Sequence, residues 1–169
     1  MPAEINGADT AWIIVATAFV LMMTLPGLAL FYAGMVRRKN VLATMAQSVG
    51  AVALISLLWL VIGYSLVFTG SGDFIGGFDR LFLMGMEVNG VHPLAPTIPE
   101  ALFVIYQMTF AVITCALIGG AVADRMKFSA FLLFSAFWLL VVYAPIAHWV
   151  WGGGFLAKIE KGARFELAQ

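Results

Sequence analysis

The stretch that decides the fold is AWIIVATAFVLMMTLPGLALFYAGMV, which runs from Ala11 to Val36 without an Asp, Glu, Lys or Arg. At a rise of about 1.5 Å per residue, a helix of this length crosses the roughly 30 Å hydrocarbon core of a bilayer with some tilt. Its flank carries Glu4 and Asp9 in place of the basic residues of a signal peptide, and the apolar run is too long for one. The stretch therefore predicts a retained membrane helix.

Three further uncharged stretches have similar lengths, namely Val41 to Phe68, Ala101 to Val122 and Phe128 to about Val150. Hydrophobic residues make up 63% of the 169 residues and charged residues 11%, against about 45–50% and about 25% in soluble domains. A membrane β-barrel would show shorter segments of alternating polarity. The predicted fold class is all-α membrane, a polytopic bundle with four transmembrane helices.

Composition and charge exclude several classes of protein. The net charge is zero and there is no Lys/Arg-rich stretch of the kind that marks nucleic-acid binding, so no nucleic-acid partner is expected. The single cysteine, Cys115, allows no intrachain disulfide. The apolar stretches hold no paired carboxylates, metal-ligand cluster or nucleophile–base pair, so we expect neither an enzyme nor a cofactor.

The connections between the stretches predict the orientation. Basic residues lie in the two tight connections, and acidic residues dominate the long one from Thr69 to Glu100. The basic set is Arg37, Arg38, Lys39, Arg125 and Lys127, and the acidic set is Asp73, Asp79, Glu87 and Glu100, with Arg80 among them. Because basic short loops stay in the cytoplasm, the N-terminus is expected outside. The Gly- and Pro-rich long connection should be an irregular segment of the outer face.

Small residues and a proline mark the first and third stretches. Pro26 removes a helix hydrogen bond and should bend the first helix. Gly27, Ala29 and Gly34 should allow a neighbouring helix to approach closely. Gly119 and Gly120 receive the same structural interpretation.

Four groups of residues resemble one known family in order and spacing. They are Pro26-Gly-Leu-Ala-Leu-Phe-Tyr-Ala-Gly34 with Arg38-Lys-Asn40, Tyr106-Gln-Met-Thr-Phe110, Ala123-Asp-Arg-Met-Lys-Phe-Ser129, and Pro145-Ile-Ala-His-Trp-Val-Trp-Gly-Gly-Gly154. Together they look like ammonium transporters of the Amt/Mep/Rh family, and the predicted orientation is also that family's.

The resemblance implies a fold of eleven helices built as two inverted five-helix repeats, of which this chain holds the first four. It also implies a homotrimer in the cell inner membrane, ammonium or methylammonium as substrate, and contact with a PII-type regulatory protein on the cytoplasmic face. Residues 1–157 would be the N-terminal part of the transporter domain and residues 158–169 a divergent tail. The family's Asp-Phe-Ala-Gly-Gly segment and first pore histidine do not follow Lys158, so we expect a fragment or truncated form that does not conduct alone.

Three aromatic residues match the family's external recruitment site, in which the cation sits over aromatic rings. By this resemblance Trp151 supplies the indole of the cation site, Phe110 a ring at the pore entrance, and Tyr106 a neighbouring aromatic. The spacing of Tyr106, Phe110 and Thr114 places them on one face of a helix. The structural alternatives are core or lipid-facing packing for the pair on the third stretch and an interfacial aromatic belt for Trp151.

The remaining candidates receive structural interpretations. Trp149 is assigned to the aromatic belt, and His148 is expected to have a structural role because the family's paired pore histidines lie on later helices. His92, in the polar connection, is expected to be solvated. Besides a transporter, the sequence leaves open a membrane ammonium-sensing input domain of a signalling protein.

Overall fold

The computed structural model describes residues 4–70 and 72–159, and their dominant elements are four long helices. The first, α1, consists of Gly7–Met22, a π-helical turn at Met23–Leu28, and Ala29–Met35. Asn6 caps it, because its side-chain oxygen accepts hydrogen bonds from the backbone N–H groups of Ala8 (2.8 Å) and Asp9 (3.2 Å). Pro26 lies inside the π-helical turn, so the regular hydrogen-bond pattern is interrupted where the proline predicts it.

The second helix, α2, begins with a 3₁₀ turn at Arg38–Asn40 and continues as Val41–Leu58, a π-helical turn at Trp59–Gly63, and Tyr64–Phe68. The third, α3, is Glu100–Val122 without interruption. The fourth, α4, consists of Phe128–Trp138, a π-helical turn at Leu139–Tyr143, and Ala144–Val150, and residues 155–159 form a further helical turn. These bounds lie close to the predicted ones, and the all-α membrane prediction is confirmed.

The long connection is more ordered than predicted. It contains a 3₁₀ turn at Leu81–Leu83 and a hairpin of two antiparallel strands, β1 at Val91–His92 and β2 at Ala95–Pro99. The hairpin is tied to the helices on both sides, since Asn6 N–H donates to the Thr97 carbonyl (2.8 Å) and Glu100 N–H donates to the Gly90 carbonyl (2.8 Å).

Two polar residues of this connection are buried, and for His92 this contradicts the sequence interpretation. His92 is buried; its Nδ1 accepts the Leu94 N–H (3.2 Å), and its ring stacks on Phe103 with centroids 5.0 Å apart. Glu100 is also buried, as the first residue of α3. The hairpin folds over the start of α3 and removes both side chains from solvent, which a polar, Gly-rich sequence does not reveal.

The chain divides into two compact units, one of Met1–Leu57 with Met86–Ala136 and one of Leu58–Gly85 with Phe137–Gln169. In the first, α1 packs on α3, and the Tyr32 hydroxyl donates to the Leu117 carbonyl (3.0 Å). In the second, buried Trp59 contacts the rings of Tyr64, Phe68 and Tyr143 at centroid distances of 6.2–6.3 Å. Of the predicted tail, residues 160–169 lie outside the described residues.

Candidate functional site

The structure brings Tyr106 and Phe110 together on one face of α3. Their ring centroids are 5.1 Å apart and the rings are nearly perpendicular, at 86°, the edge-to-face geometry that aromatic pairs prefer. Each backbone carbonyl also accepts a threonine hydroxyl, Tyr106 from Thr109 (2.7 Å) and Phe110 from Thr114 (2.6 Å). Both rings are partly exposed, so part of this aromatic surface is available for contact.

Trp151 lies in the second unit and is the C-cap residue of α4. Its backbone N–H donates to the Ala147 carbonyl (2.8 Å), which fixes the main chain in the last helical turn. Its side chain is 55% exposed. Within the described part of this unit the indole makes no hydrogen bond and no contact with another aromatic ring.

The glycines after Trp151 hold the chain close to the end of α2. A Cβ atom at Gly152 would lie 2.0 Å from the Val67 carbonyl oxygen, and a Cβ at Gly154 would lie 2.7 Å from the Cα of Trp149. Gly153 has φ +91°, a backbone conformation that favours glycine. The Gly152–Gly154 turn therefore depends on three residues without side chains, two for space and one for conformation.

Trp149 has a specific partner in addition to its place near the helix end. Its indole N–H donates to the Phe74 carbonyl (2.7 Å), and its ring lies 5.4 Å from that of Phe155. Asp73, next to Phe74, forms an ion pair with Lys158. The belt interpretation of Trp149 is thus incomplete, since the side chain also anchors the segment that follows α2.

His148 is fully buried, in agreement with the structural role predicted for it. Its Nδ1 lies 2.6 Å from the Val67 carbonyl oxygen and its Nε2 lies 2.8 Å from that of Gly72. Sequence reasoning did not foresee this double contact. The available signal was an ionisable residue directly before a tryptophan and a run of glycines, which indicates close backbone packing without naming the partner.

The first unit has a small polar cavity beside the connections that link α1 to α2 and α3 to α4. Its volume is about 150 Å³, and it is lined by Asn40, Ala43, Thr44, Gln47, Asp124 and Met126. Asn40 Nδ2 donates to the Asp124 carboxylate (2.5 Å) and Gln47 Nε2 donates to the Met126 carbonyl (3.1 Å). Asp124 has φ +64°, a conformation that Asp tolerates better than most residues. These contacts join the two basic connections to one another.

No metal site accompanies these features. Among residues 4–70 and 72–159, no three His, Cys, Asp or Glu side chains lie together as metal ligands. The candidate residues described above are aromatic, and the face of an aromatic ring attracts a cation through the cation–π interaction.

Comparison with known proteins identifies the family. The model of the Ammonium Transporter Family matches residues 11–163. This chain belongs to that family. The predicted resemblance is confirmed, and so is the expectation that the chain is not an enzyme, because this is a family of transporters.

The similarity to individual ammonium transporters is high. The ammonium transporter of Bacillus subtilis is 48% identical over 153 residues, which cover 89% of this chain and 37% of that protein. The ammonium transporter of Aquifex aeolicus is 46% identical over 92% of this chain and 37% of its own length. The crystal structure of Mep2 from Candida albicans superposes with a TM-score of 0.80 at 34% identity, covering 92% of this chain and 34% of that one. The chain thus spans between a third and two fifths of these three proteins, corresponding to the N-terminal portion of the family's members.

Proposed function

We propose that this chain forms part of a transporter that carries ammonium, or methylammonium, across a cell membrane. The observation that carries the proposal is the family match over residues 11–163, together with 48% identity to a protein named as an ammonium transporter. The four apolar helices support it, since each is long enough to cross a bilayer. Moving a bare cation through hydrocarbon costs tens of kcal/mol on a Born estimate, so a protein path is required.

The cation is first recruited by aromatic rings at the outer entrance. By the family resemblance, Trp151 binds it over the indole face, and Phe110, with Tyr106 against its edge, is a ring that narrows the pore entrance. The half-exposed indole without a ring partner in its unit supports the binding role, since a ligand can reach its face. The perpendicular Tyr106–Phe110 pair supports a rigid constriction, because each ring restrains the other. An aromatic face attracts a cation by about 0.5–2 kcal/mol and offers nothing to an anion.

The chain lies in the cell inner membrane with its N-terminus outside. The charge distribution supports this orientation, because the short connections at residues 36–40 and 123–127 are basic and the connection from Thr69 to Glu100 is mostly acidic. The hydrogen bond from Asn40 to Asp124 joins the two basic connections, which fits a common location in the cytoplasm.

The working assembly is a homotrimer, with a PII-type regulatory protein on the cytoplasmic face, as the family resemblance implies. The surface of α1 supports contacts beyond this chain, since it is the least buried of the four helices. Its exposed apolar side chains include Trp12, Phe19 and Phe31. Lipid and neighbouring subunits are the natural partners of such a surface.

The proposed entrance is tested by replacing single aromatic residues in the intact gene product and measuring uptake of labelled methylammonium. Trp151→Leu keeps bulk and hydrophobicity but removes the π face. The cation–π contribution of about 0.5–2 kcal/mol corresponds to a roughly two- to thirtyfold weaker apparent affinity. Phe110→Ala should instead change the rate or the selectivity, because it opens the constriction.

Trp12→Leu is the matched control, because Trp12 is also an exposed tryptophan but lies on α1. It should leave the apparent affinity unchanged. If Trp151→Leu also keeps its affinity and its selectivity over sodium, the binding role is wrong and Trp151 is an interfacial-belt residue.

A further inference from the structure

The buried imidazole of His148 connects three pieces of backbone at the end of α4. The ring contacts the carbonyl oxygens of Val67, near the end of α2, and of Gly72, in the segment that follows. A carbonyl oxygen has no proton to give, so each contact becomes a hydrogen bond only when the ring nitrogen carries the proton. The neutral ring donates to one carbonyl at a time, and the doubly protonated ring donates to both.

The backbone of the same residue holds the turn on the other side. The His148 carbonyl accepts the N–H groups of Gly152 (3.0 Å) and Gly154 (3.0 Å). Trp151 therefore lies between His148 and the first of the two glycines that bond to it, about one helical turn beyond His148. Through its ring and its carbonyl, His148 links the segment after α2 to the Gly152–Gly154 turn.

The steric contacts leave this turn little room to move. A Cβ at Gly152 would lie 2.6 Å from the His148 Nδ1 as well as 2.0 Å from the Val67 oxygen, and a Cβ at Gly154 would lie 2.9 Å from the Asp73 oxygen. Real Cβ contacts are not that short, so backbone lies against backbone here. In the described part of this unit, the hydrogen bonds that hold Trp151 are made by its main chain, to the Ala147 and His148 carbonyls.

We propose that His148 is a positioning residue for Trp151. By holding the Gly152–Gly154 turn against Val67 and Gly72, it fixes where the indole face stands and so sets the affinity of the entrance for the cation. This inference rests on the proposed recruitment role of Trp151. His148 does not contact the substrate in this proposal. A substitution of His148 should therefore weaken cation binding without lowering the maximal rate of transport.

The experiment compares His148→Leu, His148→Asn and His148→Gln in the intact gene product, purified and reconstituted into liposomes. Labelled methylammonium uptake gives the apparent affinity and the maximal rate, the latter divided by the amount of monodisperse transporter. Asn places its amide nitrogen near the position of Nδ1, within reach of Val67, and Gln near that of Nε2, within reach of Gly72. Leu makes neither bond.

For His148→Leu we expect an apparent affinity about three- to tenfold weaker, which is part of the range calculated for loss of the whole cation–π contact. The maximal rate per folded transporter should be unchanged. Asn and Gln should each recover part of the affinity. The double variant His148→Leu with Trp151→Leu should bind no more weakly than Trp151→Leu alone, because without the indole there is nothing left to position.

His92 provides the matched control, since it is also buried and also bonds to backbone, at Leu94, but belongs to the other compact unit. His92→Asn should leave the apparent affinity unchanged. The inference is overturned if Trp151→Leu weakens binding while His148→Leu does not, or if the two effects add in the double variant. Loss of monodisperse protein in all three His148 variants would also overturn it, since the residue would then serve folding alone. If Trp151→Leu itself has no effect on affinity, the recruitment proposal is wrong, and the inference about His148, which rests on it, is wrong as well.

Discussion

At the scale of single residues, the packing of α1 on α3 in the first unit depends on the absence of a side chain at Gly120. A Cβ atom at Gly120 of α3 would lie 2.4 Å from Cζ of Tyr32 and 2.8 Å from its hydroxyl oxygen. The hydroxyl of Tyr32 donates to the Leu117 carbonyl one turn earlier on α3. The sequence predicts close approach at Gly120 from residue size alone, and the structure supplies the partner.

Gly120→Ala should destabilise the protein. The added methyl group forces the Tyr32 ring away and breaks its bond to Leu117, and the combined cost of overpacking and a lost hydrogen bond is about 1–3 kcal/mol. The measurement is the midpoint of thermal unfolding in detergent, monitored as the fraction of protein that stays monodisperse at each temperature.

Gly34→Ala is the control, since, apart from its chain neighbours and its own helix backbone, no atom of residues 4–70 and 72–159 lies within 4 Å of the Cβ position at Gly34. Alanine is the better helix former by about 1 kcal/mol, so the unfolding midpoint should stay the same or rise. A fall as large as that of Gly120→Ala would show that Gly34 meets a neighbour outside the described residues, as the sequence interpretation of Gly34 expects.

At the scale of elements, π-helical turns interrupt α1, α2 and α4, and the sequence indicates the place in only one of them. Pro26 accounts for the turn in α1. The turns at Trp59–Gly63 and Leu139–Tyr143 contain no proline. They meet through Trp59 and Tyr143, whose rings pack edge to face at 6.3 Å. Packing of large rings in the second unit, and not a local signal, explains why these two helices accommodate an extra residue in a turn.

The segment after α2 is a second element whose order comes from tertiary contacts. Trp149→Phe keeps a ring against Phe155 but removes the N–H that donates to the Phe74 carbonyl. The lost bond is worth about 1 kcal/mol, so amide hydrogen exchange in residues 72–77 should become several-fold faster. Exchange in α3, which lies in the other unit, should not change and serves as the internal reference.

If exchange in residues 72–77 is unaffected, the contact between Trp149 and Phe74 does not order this segment. Trp149 would then be interpreted as a residue of the interfacial aromatic belt, as the sequence analysis proposed.

At the scale of the whole molecule, the distribution of charge predicts how the chain crosses the membrane. A reporter fused after Lys39 or after Arg125 should give a cytoplasmic signal, because both basic connections are short. A reporter fused after Gly90, in the acidic connection, should give the opposite signal. An external signal at both basic sites would reverse the proposed orientation.

The chain covers only part of the length of related transporters, and this predicts whether it can conduct ammonium alone. The chain spans 37% of the Bacillus subtilis ammonium transporter, and many large apolar side chains on its helices are exposed. Because the resemblance implies a pore enclosed by two repeats, we expect the 169-residue chain alone in liposomes to give no ammonium-driven current above empty vesicles. A full-length ammonium transporter of this family is the positive control, and a saturable current from the chain alone would contradict the two-repeat requirement.

The sequence by itself determined the number and approximate bounds of the four helices, the family, and the shared face of Tyr106 and Phe110. These features depend on local properties, since lipid selects long apolar runs and helical geometry fixes which neighbours meet. Only the tertiary structure decided the burial of His92 and Glu100, the π-helical turns without proline, and the contacts of His148 with the carbonyls of Val67 and Gly72. Each of these joins residues distant in the chain, so the composition or spacing of one segment holds no information about its partner.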